Sequence, residues 1–361
     1  MGGPAVMWID DPGADVASLG GKVNSLSELA SAGFDVPPAF GVTTHAFARF
    51  AEAAGLAGHV AAVTASLDLD DHEAVVAASA GIAGVIAATP MPTDLDEAIR
   101  DAYARLSTMT GADPVPVAVR SSGVSEDLDG ASFAGQYETY LWVMGADEVI
   151  AHVRRCWASL FNPEVLTYRP GDGGAHAGVL PGMCVGVQVM VPARSAGVMF
   201  TMDPVSGDRS RIVIESCWGL GEGVVKGDVT PDRHRVDKVT MVIADRHVAR
   251  KDVEYRFDET TGGVHALPLE EPRTAECSVS DDEVFALAAL GKAIERHRGA
   301  PQDIEWAIGG DGALHLLQAR PETVWTARHA EEAARRAAEG ATSATTRVIS
   351  AFLGVGKRTD A

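Results

Sequence analysis

From Gly182 onward the hydrophobic pattern drops from helical spacing to a two-residue alternation, and this change limits the fold more than any other feature of the chain. The segments "MCVGVQVMV", "AGVMFTM", "RIVIESCW", "DRHRVDKVTMVIA", "DIEWAI" and "ALHLLQAR" read as strands. Between them, "SVSDDEVFALAALGKAIERHRG" reads as a helix capped by Ser280 and stopped by Gly299. Antiparallel-looking strands with flanking helices predict α+β lobes, and the sequence carries neither a Rossmann glycine fingerprint nor an internal repeat.

The residues before this change read mainly as helix. In "SLGGKVNSLSELASAGFDVPPAFGVTT", Leu26, Leu29, Ala30 and Gly33 recur at helical spacing, so Gly20, Gly21 and Lys22 are expected just before a helix N-terminus. Unpaired amides and a lysine there suit a phosphate, although the same residues also fit a glycine turn with a solvated lysine. Residues 45 to 108 are alanine-rich and read as three helices, broken near Gly55, near Asp68 to Asp71 and at "TPMPTDLDEAIRDAYARL", where Thr93 is expected as an N-cap. A later helix puts Val149, Val153, Trp157 and Leu160 on one face. The tail from Thr326 reads either as a solvated helix with a frayed end or as a docking helix with Val348, Ile349, Phe352 and Leu353 on one face.

The 361 residues carry a formal charge of −20, which opposes attraction to nucleic acid or an anionic membrane surface. An anionic ligand must therefore be held by a local cluster of donors. No run of eighteen apolar residues and no basic-then-apolar leader is present, so a cytoplasmic protein without nucleic-acid or membrane partners is expected. Cys156, Cys184, Cys217 and Cys277 are widely spaced and read as buried thiols.

Two segments carry the polar groups of interest. In "QDIEWAIGGDGALHLLQARPETVW", Ile304, Trp306 and Ile308 alternate with Asp303, Glu305 and Ala307, and the turn is Gly309 to Gly312. A four-residue loop puts Glu305 opposite Leu316, with Gln318 as its diagonal neighbour about 7 Å away and Arg320 two residues further along that face. Carboxylate, carboxamide and guanidinium on one surface suit Mg²⁺ and a polyphosphate. The alternative is a Glu305–Arg320 surface pair of at most about 1 kcal/mol. In "VAVRSSGVSEDLDGASFAGQYETY", a strand from Pro116 to Val119 delivers Arg120, and the following loop is expected to offer amides and hydroxyls at Ser121, Ser122, Gly130, Ala131, Ser132 and Gly135.

Together these residues, set in an acidic chain, resemble the N-terminal ATP-binding region of phosphoenolpyruvate synthase and pyruvate phosphate dikinase, found also in rifampicin phosphotransferase and phenylphosphate synthase. The resembling segments are "LGGKVNSLSELASAGFDVPPAFGVTTHAF", "VAVRSSGVSEDLDGASFAGQYETYL", "GVMFTMDPVSGD", "IESCWGLGEGVVKGDVTPD" and "DIEWAI…LHLLQARPET", in family order across residues 18 to 325. The resemblance implies an α+β, ATP-grasp-like fold of two or three lobes with nucleotide between them: residues 1–180, residues 181–325 and a helical tail at 326–361. It implies that Lys22, Arg120 and Arg320 act on the phosphates of ATP, and that a loop at 129–136, with Gly130, Ala131, Ser132 and Phe133, covers them. Gln188, Met190 and Val191 become the adenine hinge, Glu215 lies near the ribose, and Glu305 and Gln318 hold Mg²⁺. Val189 departs from the family pattern, which commonly has lysine there.

Members of this family pass phosphoryl from ATP to a histidine on a swivelling domain, releasing AMP and phosphate, and from there to an acceptor. None of the eleven histidines here has the glycine-rich Ser-His context of that domain, and His45, His234 and His315 read as structural. A separate subunit carrying the phosphocarrier histidine and the site for a small-molecule acceptor, such as a phenol or cresol, is therefore expected. The alternatives are an ATP-binding domain of a longer synthase or antibiotic phosphotransferase, and a non-catalytic ATP sensor. Asp203 and Glu222 read as loop and capping residues.

Overall fold

The computed structural model describes residues 3–124, 138–167, 180–323 and 325. In chain order the elements begin with β1 (Val6–Trp8), α1 (Val16–Ser31), β2 (Ala39–Val42), α2 (Thr44–Ala53), α3 (Leu56–Thr64), α4 (His72–Ala88) and α5 (Thr93–Thr110). There follow β3 (Val117–Gly123), β4 (Thr139–Val143), α6 (Ala146–Ala158), α7 (Pro163–Thr167), β5 (Met183–Val189), β6 (Ala193–Phe200), β7 (Arg211–Trp218) and α8 (Glu222–Lys226). The described chain closes with β8 (Asp232–Asp237), β9 (Ile243–His247), β10 (Val253–Asp258), β11 (Gly263–Pro268), α9 (Asp281–Arg298), β12 (Gln302–Gly309) and β13 (Leu314–Pro321).

The strands form two large antiparallel sheets, ordered β1-β2-β5-β3-β4 and β13-β12-β6-β7-β8-β9, and a β10–β11 hairpin. Helices α2 to α6 bury one face of the first sheet, where Phe47 and Phe50 pack on Trp157. Val149, Val153, Trp157 and Leu160 all face this core, as their spacing predicts. The alanine-rich region holds four helices, one more than expected, and Thr93 opens α5 without capping it. Helix α9 covers the second sheet; Ser280 and Glu283 close a capping box at its start and Gly299 ends it in the left-handed conformation.

Strand β5 was expected to open the second lobe after residue 180, yet it is the central strand of the first sheet, paired with β2 and β3. Its run of buried apolar residues is what a central strand needs, but order along the chain does not reveal which sheet a strand joins. The chain crosses between sheets at residues 190–192, where the Met190 amide bonds the Pro116 carbonyl at 2.9 Å. Helix α1 ties the two layers together: Leu19, Val23 and Leu26 lie with residues of the first sheet, and Leu29 enters the second core. The resulting two-lobed arrangement is α+β.

Candidate nucleotide site

The joint between α1 and β3 sets the first two cationic residues. Gly20 takes φ 65° and ψ 176° inside α1, which interrupts the helical ladder: a short turn from Val16 is joined there to a second helical segment, whose start beside Lys22 is where the sequence suggests a helix N-terminus. The Ser122 hydroxyl fills the break, donating to the Leu19 carbonyl at 2.7 Å and accepting from the Val23 amide at 3.1 Å. A Cβ at position 20 would lie 2.0 Å from the Ser122 carbonyl oxygen, so only glycine fits. Lys22 and Arg120, each two residues from this joint, both line a cavity of about 510 Å³ between the sheets. That volume suits a small ligand.

This joint also corrects the reading of the segment after Arg120. Strand β3 does not stop at Val119 but runs to Gly123, pairing Ser121 with Val185 and Ser122 with Cys184. Both serines are fully buried; Ser122 holds β3 and α1 together, and the Ser121 hydroxyl has no hydrogen-bond partner among the described residues. Gly130, Ala131, Ser132 and Phe133 lie outside the described residues.

The second sheet supplies the opposite wall. Glu305 pairs directly with Gln318, and Trp306 with Leu316, because a bulge at Leu317 inserts one residue into β13. Glu305 thus lies opposite a residue two positions beyond the expected Leu316: the turn-side register is one residue off the expected one, and the bulge adds the second. The bulge lets Leu317 and Gln318 both line the cavity while Leu316 and Ala319 remain in the core. Buried Arg120 reaches across the gap: its Nη2 bonds Gln318 Oε1 and lies 3.7 Å from Glu305 Oε2, and its Nη1 donates to the Leu317 carbonyl at 3.3 Å.

Arg320 also lines the cavity, with Nε 2.8 Å and Nη2 2.7 Å from Asp303 Oδ2. Asp303 was not singled out in the sequence, although the D-I-E alternation puts it on the face of Glu305. Burial pushes its carboxyl above the usual carboxylate range, with Arg320 opposing that shift. Among the described residues no group of three or more His, Cys, Asp or Glu side chains is arranged to hold a metal ion. One carboxylate and one carboxamide, Glu305 and Gln318, are nonetheless a donor set that fits Mg²⁺, which completes its octahedron with water and substrate phosphate oxygens.

At the other end of the cavity, Gln188, Val189, Met190 and Val191 form the wall where the sheets meet. Gln188 is 3% exposed, and its amide nitrogen has no hydrogen-bond partner among the described residues. Such an orphan donor in a cavity wall suits an acceptor on a ligand. Ala118, Leu141, Ala196 and Leu317 add apolar surface beside it.

Glu215 stands apart. Val198 pairs with both Glu215 and Glu305, so Glu215 lies two strands away on the same face, and it does not line the cavity. Burial raises its carboxyl, opposed by Arg233. The carboxylate that does line the cavity is Glu222 on α8, 2.8 Å from Lys226. Asp203 caps its own turn, accepting from the amides of Val205 and Ser206 and pairing with Arg235.

The family model for the pyruvate phosphate dikinase AMP/ATP-binding domain matches residues 16–341. The chain is 42% identical over 319 residues to a probable phosphoenolpyruvate synthase of Methanocaldococcus jannaschii, covering 88% of this chain and 26% of that protein. It is 40% identical over 360 residues to a probable phosphoenolpyruvate synthase of Staphylothermus marinus, covering 92% and 43%. It is 41% identical over 359 residues to a phosphoenolpyruvate synthase of Aeropyrum pernix, covering 91% and 44%. The chain thus spans less than half the length of these curated relatives.

Proposed function

Because the chain belongs to the pyruvate phosphate dikinase AMP/ATP-binding domain family, we propose that its cleft binds ATP with Mg²⁺ and begins a dikinase-type phosphotransfer, in which ATP, water and a histidine give AMP, free phosphate and phosphohistidine. The observation that carries this reading is the meeting of Lys22, Arg120, Glu305, Gln318 and Arg320 around one cavity in a chain of net charge −20. Three cationic side chains at one end balance a triphosphate, and the Gln188 amide beside apolar surface at the other suits a purine.

In this mechanism Arg120 and Arg320 hold phosphate oxygens through paired N–H groups, and Lys22 adds a point charge. Glu305 and Gln318 would hold Mg²⁺, which neutralises charge on the phosphates. Positioning and charge neutralisation are what phosphoryl transfer chiefly requires, and both come from side chains on strands β3, β12 and β13 and on helix α1. Arg120 exchanges its hold on Gln318 and Glu305 for phosphate when nucleotide enters.

The receiving histidine belongs, in this reading, to a swivelling domain or a partner subunit that also binds a small acceptor. Two settings fit: a subunit of a phenylphosphate synthase-type enzyme acting on a phenol or cresol, and the ATP-binding domain of a phosphoenolpyruvate synthase. The names of the relatives favour the second. The test is to mix the full chain, ATP, Mg²⁺ and a phosphocarrier domain and assay AMP. AMP formed only with both proteins supports the reading, whereas ATP bound without any AMP supports a sensor and rejects it.

A further inference from the structure

We propose that the β10–β11 hairpin is a strap that latches the two lobes together along one edge of the cleft, through the stack of Phe257 on Trp142, and that release of this latch sets how fast nucleotide enters and leaves; this rests on the ATP reading above. The two edges of the cleft are built differently. On the α1 side the lobes are welded: Leu29 enters the second core, the Ser25 hydroxyl donates to the Ala319 carbonyl on β13, and Arg298 of α9 reaches Ser25 Oγ at 2.8 Å and Glu28 Oε2 at 3.2 Å. At the other edge the cavity is walled by Thr139 and Leu141 of β4 from one lobe and by α8 from the other. The hairpin spans these two walls.

Its base is pinned to the second lobe. The Leu220 amide donates to the Tyr255 carbonyl at 2.7 Å. Buried Glu254 accepts from Arg273 Nη1 and Nη2 at 3.2 and 3.0 Å, and that guanidinium lies over the Trp218 ring at 4.6 Å. Tyr255 and Phe257 are two residues apart and so share one face of β10. The Tyr255 ring takes the Lys226 ammonium of α8 at 5.5 Å. The Phe257 ring, beside the last pair before the turn, lies on Trp142 of β4 with centroids 5.3 Å apart and planes at 12°.

The β4 half of the contact has an unusual backbone. Between the pairs Val117–Val143 and Val119–Tyr140, β3 advances two residues and β4 three, so β4 bulges at Leu141 and Trp142. Trp142 takes φ 60°, a left-handed conformation that a bulky residue adopts only where its surroundings hold it there. The bulge sends Leu141 to the cavity and Trp142 to the strap. Neither Trp142 nor Phe257 lines the cavity, so the stack bears on the lobes and not on the ligand. With the lobes tied at the 190–192 crossing and at α1, rotation about those ties parts the edge that carries the stack. An aromatic pair is strong enough to favour the shut edge and weak enough to break within the time of ligand exchange.

The experiment is stopped-flow fluorescence of the full chain with Mg²⁺ and ATP carrying an N-methylanthraniloyl group on its ribose, with dissociation followed in a chase of unlabelled ATP and affinity measured by calorimetry. In Phe257→Ala the association and dissociation rates should rise together by about two- to tenfold, the population ratio that an aromatic pair supports, with affinity within about twofold of the parent. Parallel acceleration is the signature of a gate, because a contact that does not touch the ligand changes access and not the bound state. A merely structural contact lowers affinity or stability without speeding entry. Phe257→Tyr, which keeps a stacking ring, should restore the parent rates. Trp142→Gly, which removes the other ring and accepts φ 60° without strain, should match Phe257→Ala and carries the test if that variant does not fold. Unchanged rates, or faster dissociation with unchanged association, overturns the inference. A parent chain that binds no ATP overturns the ATP reading itself and the inference with it.

Discussion

Replacing Gly20 with alanine tests how the fold sets the site. The new methyl would sit 2.0 Å from the Ser122 carbonyl oxygen, at a position with φ 65°. Alanine in this essentially glycine-only region, with positive φ and ψ near 180°, costs about 1–3 kcal/mol, and overpacking against backbone adds roughly 1–3 kcal/mol. Displacing Ser122 endangers its bonds to Leu19 and Val23, each about 1 kcal/mol. The sum is about 4 kcal/mol or more, a large part of the roughly 5–15 kcal/mol that holds a typical protein folded. Urea unfolding followed by circular dichroism should show this as a lowered midpoint, and calorimetry should show weaker Mg²⁺–ATP binding, because Lys22 and Arg120 flank the joint. Ser122→Ala should lose about 1–3 kcal/mol and should not add fully to Gly20→Ala, since both act at one contact. A Gly20→Ala protein within about 1 kcal/mol of the parent, with unchanged ATP affinity, would refute the assignment of Gly20 and Ser122 as the joint.

Glu305→Ala should leave stability within about 1 kcal/mol, because the side chain is 36% exposed, yet remove the Mg²⁺ dependence of ATP binding; calorimetry with and without Mg²⁺ checks this. Asp203→Ala should cost about 2–3 kcal/mol at pH 7 through loss of the bonds from Val205, Ser206 and Arg235. Burial alone would raise the Asp203 carboxyl, but the Ser206 and Val205 amides and Arg235 outweigh it and leave it below its ordinary 3.8. That stability is therefore present above pH 3.8 and is lost as pH falls through the folded-state value, so the difference between Asp203→Ala and the parent should shrink in acid; a difference independent of pH contradicts it. Phe257→Ala removes a stack on Trp142, with centroids 5.3 Å apart and planes at 12°, that joins the β10–β11 hairpin to β4 beside the cleft. It should speed amide exchange in β10 and β11 while leaving β3 protected, as measured by hydrogen exchange.

The strands and the capped α9 were legible because alternation and caps are local properties of the sequence. The face shared by Glu305, Gln318 and Arg320 followed from the same alternation, but their register did not: nothing in "LHLLQAR" marks Leu317 as a bulged residue. Asp303 was legible and overlooked, since its position two residues before Glu305 gives it the same face. The partnership of Gly20 with Ser122, 102 positions apart, and the placement of β5 in the first sheet are set by long-range packing that periodicity does not encode. "DRHRVDKVTMVIA" read as one strand but folds as β8, a turn and β9, where Met241 takes φ 54°. The β10–β11 hairpin was missed although its Thr-Thr-Gly-Gly turn lies between alternating runs. Glu215 and Glu222 both stand in the segment that carried the family resemblance, and only the structure separates the one beside the cavity from the one outside it.

The most direct measurement of the central reading is the affinity of the full chain for ATP against AMP in the presence of Mg²⁺. Side chains gathered to hold a triphosphate tail predict one saturable site per chain and at least about tenfold tighter binding of ATP, the minimum expected from losing charge-assisted phosphate contacts. Equal affinity for the two nucleotides, or no binding of ATP, would contradict it.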